Sequence, residues 1–567
     1  MRTWFGFIGA LIAAIVLAIM ATTPPAPRSA DAPLGAFSAG RAMADVRQIA
    51  AAPHPAGSAQ AAIVHSLLMA RLQAIGLETS MAQFPATVLA TERLNTWSER
   101  NEPPATLTNI VAVLPGTDRS LPAVLLMAHH DSVWASQGAP DDATGVASAI
   151  EIVRALRNGP PLRRDVMVLL TDAEELGLVG AHEFFDHDPR RAHVGAIINM
   201  ESRGGGGRTT LFETSRDNGA AARVYAGAVH KPAASSLGVF IYKTLPNSTD
   251  LTAALKAGPY TAYNFAFIGR PGLYHSPLAS SERLDQGSLQ DMGGQVLDLT
   301  RALGSAAQLP AKAPDVVFFD VFGLFTALYA AWLGWLVLGA SAVLYGVAAA
   351  RGVSAREVAG GAGRMLALIV GSGVLLYLLN LVSGPQVGNY YDRLAAILKL
   401  EVMALLGCCA AAAVVFGGVR LGPGTRAGAA IPLLLLALAL QIAAPTAAYV
   451  VEVPLLLGGL GAAALAHARG PAGTIVAAVT AALVLGYQIS LGHQLMQGVG
   501  PAFPSVAALP LALGVLVLVP LWPVQPQRIL HIAAGAALAL ALATALYVRF
   551  DPVSPYAAHF NRFKPSA

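Results

Sequence analysis

The sequence predicts an α/β domain with a mostly parallel sheet and helices on both faces, followed by an all-α polytopic membrane domain. Three observations carry this. Charge is split: residues 312–567 hold 20 Asp, Glu, Lys and Arg, and the first 311 residues hold 50. The first stretch alternates short, continuous apolar runs with helical patterns, as strands buried on both faces and joined by helices do. The second stretch is a series of apolar runs near the ~20 residues that cross a bilayer. Over the whole chain 12% of residues are charged and 55% hydrophobic, against roughly 25% and 45–50% in an ordinary globular protein.

In chain order, Arg2 precedes an apolar stretch, Trp4–Ala21, that ends at Thr-Thr-Pro-Pro. A signal peptide would have small residues before its cut, and Ile19, Met20 and Ala21 fit that poorly, so residues 1–30 read as an uncleaved transmembrane anchor and linker. Residues 31–311 form the α/β domain. Its strand-length runs are Asn109–Leu114, Ala123–Ala128, Val166–Thr171, Val194–Met200 and Ala262–Ile268. Helical patterns occupy Ala61–Ile75, Gly145–Leu156, Leu176–Phe185, Gly219–Val229 and Ser288–Leu303.

Ligands of such sheets bind beyond the carboxyl ends of the strands. Those ends are polar here. His129-His130-Asp131 follows the second run and Asp141-Asp142 opens the next helix. Asp172-Ala173-Glu174-Glu175 follows the third run, Glu201 the fourth, and Tyr274-His275 comes after the last. Each alone has an ordinary explanation, as a helix cap or a solvated turn. Five segments bringing His or carboxylate to one edge form a set. Crowded carboxylates repel unless a cation neutralises them, and two histidines among four carboxylates is an N/O mixture that zinc accepts.

The series His129-x-Asp131, Asp141-Asp142, Glu174-Glu175, Glu201 and Tyr274-His275 resembles the di-zinc aminopeptidase family, which also contains glutamate carboxypeptidase and the single-zinc glutaminyl cyclases. Pro53-His54-Pro55-Ala56-Gly57-Ser58, Thr249-Asp250-Leu251 and Asn264-Phe265-Ala266-Phe267 resemble its membrane-bound endoplasmic-reticulum metallopeptidase and vacuolar membrane protease subgroup. The resemblance implies a zinc-exopeptidase-like fold and two Zn2+ per chain. Asp141 would bridge the metals, Glu175 and His275 would complete one site, and His129 and Glu201 the other. Glu174 would be the general base, and Asp131 would accept from the free imidazole nitrogen of His129. Asp142 would shape the turn at the bridge, which in the family contains a cis peptide. The family often has Asp where this chain has Glu201, and commonly has Asp where it has Ala279, which leaves the support of His275 open. His130, His182, His187 and His193 match no ligand and read as surface residues; His54 reads as structural. Gly204–Gly207 lacks the spacing of a phosphate loop and reads as a flexible loop beside the metal site.

Residues 312–567 are expected to span a membrane about eight times, at Phe319–Val347, Met365–Gly384, Leu394–Val419, Ala429–Val450, Pro454–Ala466, Thr474–Leu491, Ser505–Leu521 and Ile529–Val548, with Pro454–Ala466 short or re-entrant. With the α/β domain outside, Arg351–Arg364, Arg420–Arg426, Arg469, Arg528 and Arg2 fall on the inner side, which satisfies the positive-inside rule; Arg549, Arg562 and Lys564 count against it. Lys399 and Glu401 read as lying before lipid entry, since Val402–Val419 is about long enough to span. Cys408 and Cys409 adjoin within an apolar run, so the α/β domain has neither a disulfide nor a cysteine nucleophile. A net charge of +4, scattered in Arg, excludes a nucleic-acid partner.

The expected protein is thus a multi-pass membrane zinc metallopeptidase, an aminopeptidase-like hydrolase acting on peptides, with its site on the periplasmic or luminal side. Abundant Ala and Gly favour a bacterial cytoplasmic membrane. The alternatives are a non-catalytic receptor or assembly subunit with the same fold, and a single-zinc glutaminyl-cyclase-like enzyme. Oligomeric state and peptide preference stay open.

Overall fold

The computed structural model describes residues 2–350, 353–385, 390–418, 421–468, 471–523 and 526–551. These divide into two units. One is helical and comprises α1 (Arg2–Thr22) with the described chain from Tyr329 on; the other is residues 23–328.

Residues 23–328 follow the order α2 (Ala39–Ile49), α3 (Ala59–Ala74), β1 (Glu78–Pro85), α4 (Val88–Ser98), β2 (Thr106–Leu114), β3 (Ala123–His129), α5 (Thr144–Arg157), β4 (Val166–Thr171), α6 (Val179–His187), β5 (Val194–Ser202), β6 (Thr210–Thr214), α7 (Gly219–Ala228), α8 (Ser236–Thr244), α9 (Asp250–Ala257), β7 (Thr261–Phe267) and α10 (Gln286–Ser305). Seven strands make one sheet in the order β1-β2-β4-β3-β5-β7-β6. The central strands β4, β3, β5 and β7 run parallel, whereas β1, β2 and β6 pair antiparallel. The sheet is therefore mixed with a parallel centre. The five expected runs are β2, β3, β4, β5 and β7. β1 has no continuous apolar run because it is an edge strand with mostly exposed or half-buried side chains, and β6 is only five residues long.

Helices cover both faces, and residue parity shows which. Val124, Leu126, Ala128, Val166, Val168 and Leu170 pack in one core with residues of α2, α3, α5 and α10, among them Met43, Leu68, Ile150 and Val296. Leu125, Met127, Met167, Leu169 and Ile197 pack on the other face against Phe184 and Phe185 of α6 and Leu251 of α9. Successive strand residues point to opposite faces, so the parity continues into the polar residues that follow each strand.

After β8 (Val316–Val321) and β9 (Phe325–Ala330) come α11 (Gly334–Ala349), α12 (Ala355–Val382), α13 (Tyr390–Ala395), α14 (Ile397–Phe416), α15 (Pro423–Ala443), α16 (Tyr449–His467), α17 (Ala472–Gly498), α18 (Ala508–Leu518) and α19 (Gln527–Arg549). Among the described residues nine helical segments are long and apolar enough to cross a membrane: α1 and eight from Ala331 on. The chain is a multi-pass membrane protein. Two expected spans change. Phe319–Val347 starts as a hairpin of aromatic and β-branched residues turning at Gly323, whose φ is +73°, and helix begins only at Ala331. Pro454–Ala466 is not short, because the helix starts at Tyr449, ahead of the proline.

α1 packs through Ala10 against Ala477 and Ala481 of α17 and against Leu521. Lys399 and Glu401 both lie inside α14. Glu401 accepts from His493 Nδ1 at 3.1 Å and Gln497 Nε2 at 2.7 Å, joining α14 to α17, and Lys399 pairs with Asp551. Arg356 and Arg364 belong to α12, which a Ser354–Glu357 capping box starts early. Arg351, Arg420, Arg469, Arg562 and Lys564 lie outside the described residues.

Candidate metal centre

The parallel register pairs His129, the last residue of β3, with Thr171, the last of β4. Asp172 to Glu175 therefore leave the sheet beside His129. Ala173 turns the chain with φ +59°, a left-handed conformation costly for a residue with a side chain. The Asp131 carboxylate holds that turn, accepting the main-chain N–H of Glu174 at 3.0 Å and of Glu175 at 3.3 Å.

Asp141 comes in from the turn that opens α5. The Asp141–Asp142 peptide is cis. Asp142 is buried and accepts the Gly145 N–H at 2.9 Å. A Cβ at position 145 would crowd the Asp142 carboxylate, so a larger residue there requires that carboxylate to shift. Glu201 enters from the end of β5. His275 enters from the loop after β7, with φ +51°, its ring stacked on Tyr274 at 3.7 Å between centroids.

These residues meet. Asp141 directs Oδ1 at His129 Nε2, 3.1 Å away, and Oδ2 at His275 Nε2, 3.2 Å away. Glu201 Oε2 is 3.8 Å from His129 Nε2, and Glu175 Oε1 is 2.8 Å from His275 Nε2. His129, Asp141 and Glu201 offer ligand atoms within 4.8 Å of one another; Asp141, Glu175 and His275 do the same, as do His129, Glu174 and Glu175. His129 Nδ1 lies 3.0 Å from the main-chain oxygen of Asp131 and 3.4 Å from its carboxylate. The carbonyl is thus the nearer acceptor, and the carboxylate serves the Glu174 turn as well. Ala279 contributes its main chain, its carbonyl accepting the Ala139 N–H beside the Asp141 turn.

Electrostatically the cluster is tense. Burial raises Glu174 and Glu201 well above the ordinary carboxylate range; neighbouring carboxylates push the same way and His129 opposes them. Burial alone would lower His275, but Glu175 and Asp141 outweigh it and hold the ring at about 9. Burial works to raise Asp141, but His129 and His275 overcome it and keep the carboxyl at about 2. Imidazolium here offsets carboxylate charge, and a divalent cation would do so without protons. An N/O set of two imidazoles and several carboxylates, one aimed both ways, fits zinc.

The remaining histidines divide. His187 is exposed, and His182 and His193 are half-buried, near Asp186 and Asp165. His54 is buried, its Nδ1 2.9 Å from the Ala52 carbonyl and its main chain bonded to Ser132. His130 is not a surface residue: it is 1% exposed, because it continues the parity of Val124, Leu126 and Ala128 into the inner face. It forms with His65 and Asp172 a further group with ligand atoms within 4.8 Å. Burial lowers His130 to about 3 and His65 to about 4, so both rings are neutral. Sequence reasoning missed this group; strand parity was the available signal. It also passed over Asp250 of the Thr249-Asp250-Leu251 motif, which is buried and bonded by the Thr171 hydroxyl. Gly204–Gly207 is tied down, with the Gly205 and Gly206 amides donating to the Gly269 carbonyl.

Residues 109–300 match the model of Peptidase family M28. Endoplasmic reticulum metallopeptidase 1 of Rattus norvegicus is 31% identical over 238 residues, covering 41% of this chain and 26% of the relative. The vacuolar membrane protease of Lachancea thermotolerans is 32% identical over 222 residues, covering 38% and 23%. The chain thus matches about a quarter of the length of these relatives. Among solved structures, an aminopeptidase from Aneurinibacillus sp. strain AM-1 aligns at 12% identity with a TM-score of 0.39, over 50% of this chain and 98% of that one. By sequence, then, the segment 109–300, which holds β3 to β7 and every residue around Asp141 described above, is a match to Peptidase family M28.

Proposed function

We propose that this chain is a membrane-anchored, zinc-dependent exopeptidase that removes residues from the amino end of peptides. The observation that carries the reading is Asp141, whose two oxygens face His129 and His275, each with its own further carboxylate. His129, Asp141 and Glu201 would hold one zinc, and Asp141, Glu175 and His275 the other.

Bound zinc supplies Lewis acidity and a water of lowered pKa. The chain's own residues do the rest. Asp131 fixes the turn that presents Glu174. Glu174 takes a proton at its carboxylate from the attacking water and delivers it to the leaving amine. Residues 31–311 would form the peptidase domain, the segments before and after it would anchor it in the bilayer, and the site would lie on the non-cytosolic side.

Purified full-length chain assayed on aminoacyl and N-blocked peptides tests this. Cleavage of the free-amine substrates alone, abolished by chelation and restored by zinc, is expected. Cyclisation of N-terminal glutamine in place of hydrolysis would overturn it in favour of a cyclotransferase; no turnover in the zinc-loaded chain would favour a non-catalytic subunit.

A further inference from the structure

His65, His130 and Asp172 lie apart from the residues proposed above to hold metal. His65 comes from α3, His130 follows β3 and Asp172 follows β4. By strand parity His130 and Asp172 continue the face of Ala128 and Leu170, which α3 helps to cover, whereas His129 continues the opposite one. His130 and Asp172 are 1% and 0% exposed. The His65 side chain is 12% exposed, so solvent reaches the group from that side.

Each of the three residues has a buried polar atom with no hydrogen-bond partner: His65 Nε2, His130 Nδ1 and Asp172 Oδ1. Leaving buried polar atoms unpaired is costly, about 1–3 kcal/mol for each. The arrangement around them is built. His130 Nε2–H donates to the Thr108 carbonyl at 3.0 Å, which leaves a lone pair on Nδ1. The Thr108 N–H donates to Asp172 Oδ2 at 2.8 Å, and Asp172 N–H to Asn109 Oδ1 at 3.1 Å. One strand end thereby orients both the imidazole and the carboxylate, the outer support that metal ligands receive. His65 Nε2 stands 3.7 Å from Asp172 Oδ2, and the two rings meet edge to face at 4.7 Å. Ligand atoms of the three lie within 4.8 Å of one another; tetrahedral zinc ligands sit about 3.3 Å apart, so a small closure brings them to bonding positions.

We propose that His65, His130 and Asp172 bind a zinc ion of their own, held by two imidazole nitrogens and one carboxylate with water at the fourth position. The ion ties α3 to the ends of β3 and β4; His129 immediately precedes His130, and Glu174 lies two residues after Asp172. It is a positioning metal, outside the reacting centre, and the inference does not depend on the peptidase reading.

The test counts zinc in the full-length chain after chelation, reloading and desalting. A variant disabled at the Asp141 cluster, Asp141→Asn with His275→Ala, is expected to retain about one zinc per chain, and adding His65→Gln should remove it. His65→Gln alone should cost about one zinc relative to wild type, and His65→Cys, which restores a ligand, should keep it. A disabled chain that retains no zinc overturns the proposal, as does retention that His65→Gln leaves unchanged. Should His65→Gln fail to fold, Asp172→Asn gives the same reading from another element. Loss of peptidase activity with this count intact would damage only the peptidase reading.

Discussion

The Asp131 carboxylate accepts the main-chain N–H of Glu174 at 3.0 Å, so the second residue after β3 sets the turn after β4. Its other oxygen takes the Glu175 N–H at 3.3 Å. Asp131→Asn would turn an NH2 group toward one of these amides and leave it unpaired, at a cost of ~1–3 kcal/mol. Zinc affinity should fall ~10–100-fold, as for other supports of metal ligands, and a zinc titration of the variant checks this. Wild-type affinity and rate would show that Asp131 is only a packing residue.

Asp141 is the one residue shared by the His129–Asp141–Glu201 group and the Asp141–Glu175–His275 group. Asp141→Asn should therefore lower bound zinc by about two per chain relative to wild type, while Glu201→Ala and His275→Ala each lower it by about one. Metal analysis after desalting reads the difference. Equal losses in all three variants would mean a single-ion centre.

What was legible followed from patterning. The continuous apolar runs from Ala123, Val166 and Val194 are the central strands β3, β4 and β5, because strands covered on both faces must be apolar throughout. Their polar ends marked the site's edge. β1 was not legible: its alternation of polar and exposed residues suits an edge strand and equally a loop. The hairpin before Ala331 was hidden because after Asp320 its residues run without a charge into the helix from Ala331, and hydropathy does not distinguish strand from helix. His130 was misread for a different reason. Its neighbour His129 drew the metal assignment, and the face to which a residue after a strand turns depends on the strand's last register position.

Gly145 and Gly294 test whether the Asp142 turn is as tight as its packing implies. A Cβ at 145 meets the Asp142 carboxylate, while one at 294, in α10, meets nothing within 4 Å. Gly145→Ala should destabilise the chain by ~1–3 kcal/mol and impair zinc binding. Gly294→Ala should raise stability by ~0.5–1 kcal/mol through helix propensity. Thermal unfolding of both variants gives the comparison. A neutral Gly145→Ala would show that the turn can relax.

Glu174 and Glu175 are chemically identical neighbours, so only geometry can give them different work. Glu175 Oε1 lies 2.8 Å from His275 Nε2, within the group that includes Asp141. Glu174 lies outside that group and faces His129 with Glu175 in another. If Glu175 is a ligand, Glu175→Gln should weaken metal binding together with activity. If Glu174 is the base, Glu174→Gln should keep fold and metal, because the amide is nearly isosteric and no ligand is lost. It cannot take a proton, so turnover should drop by ~10²–10⁴, and the loss should fall mainly on kcat, since substrate contacts are unchanged. Zinc content and steady-state kinetics on the same preparation separate the roles. Metal loss in Glu174→Gln with only slowed turnover in Glu175→Gln would reverse the assignment, and near-normal hydrolysis by Glu174→Gln would remove the base role from this residue.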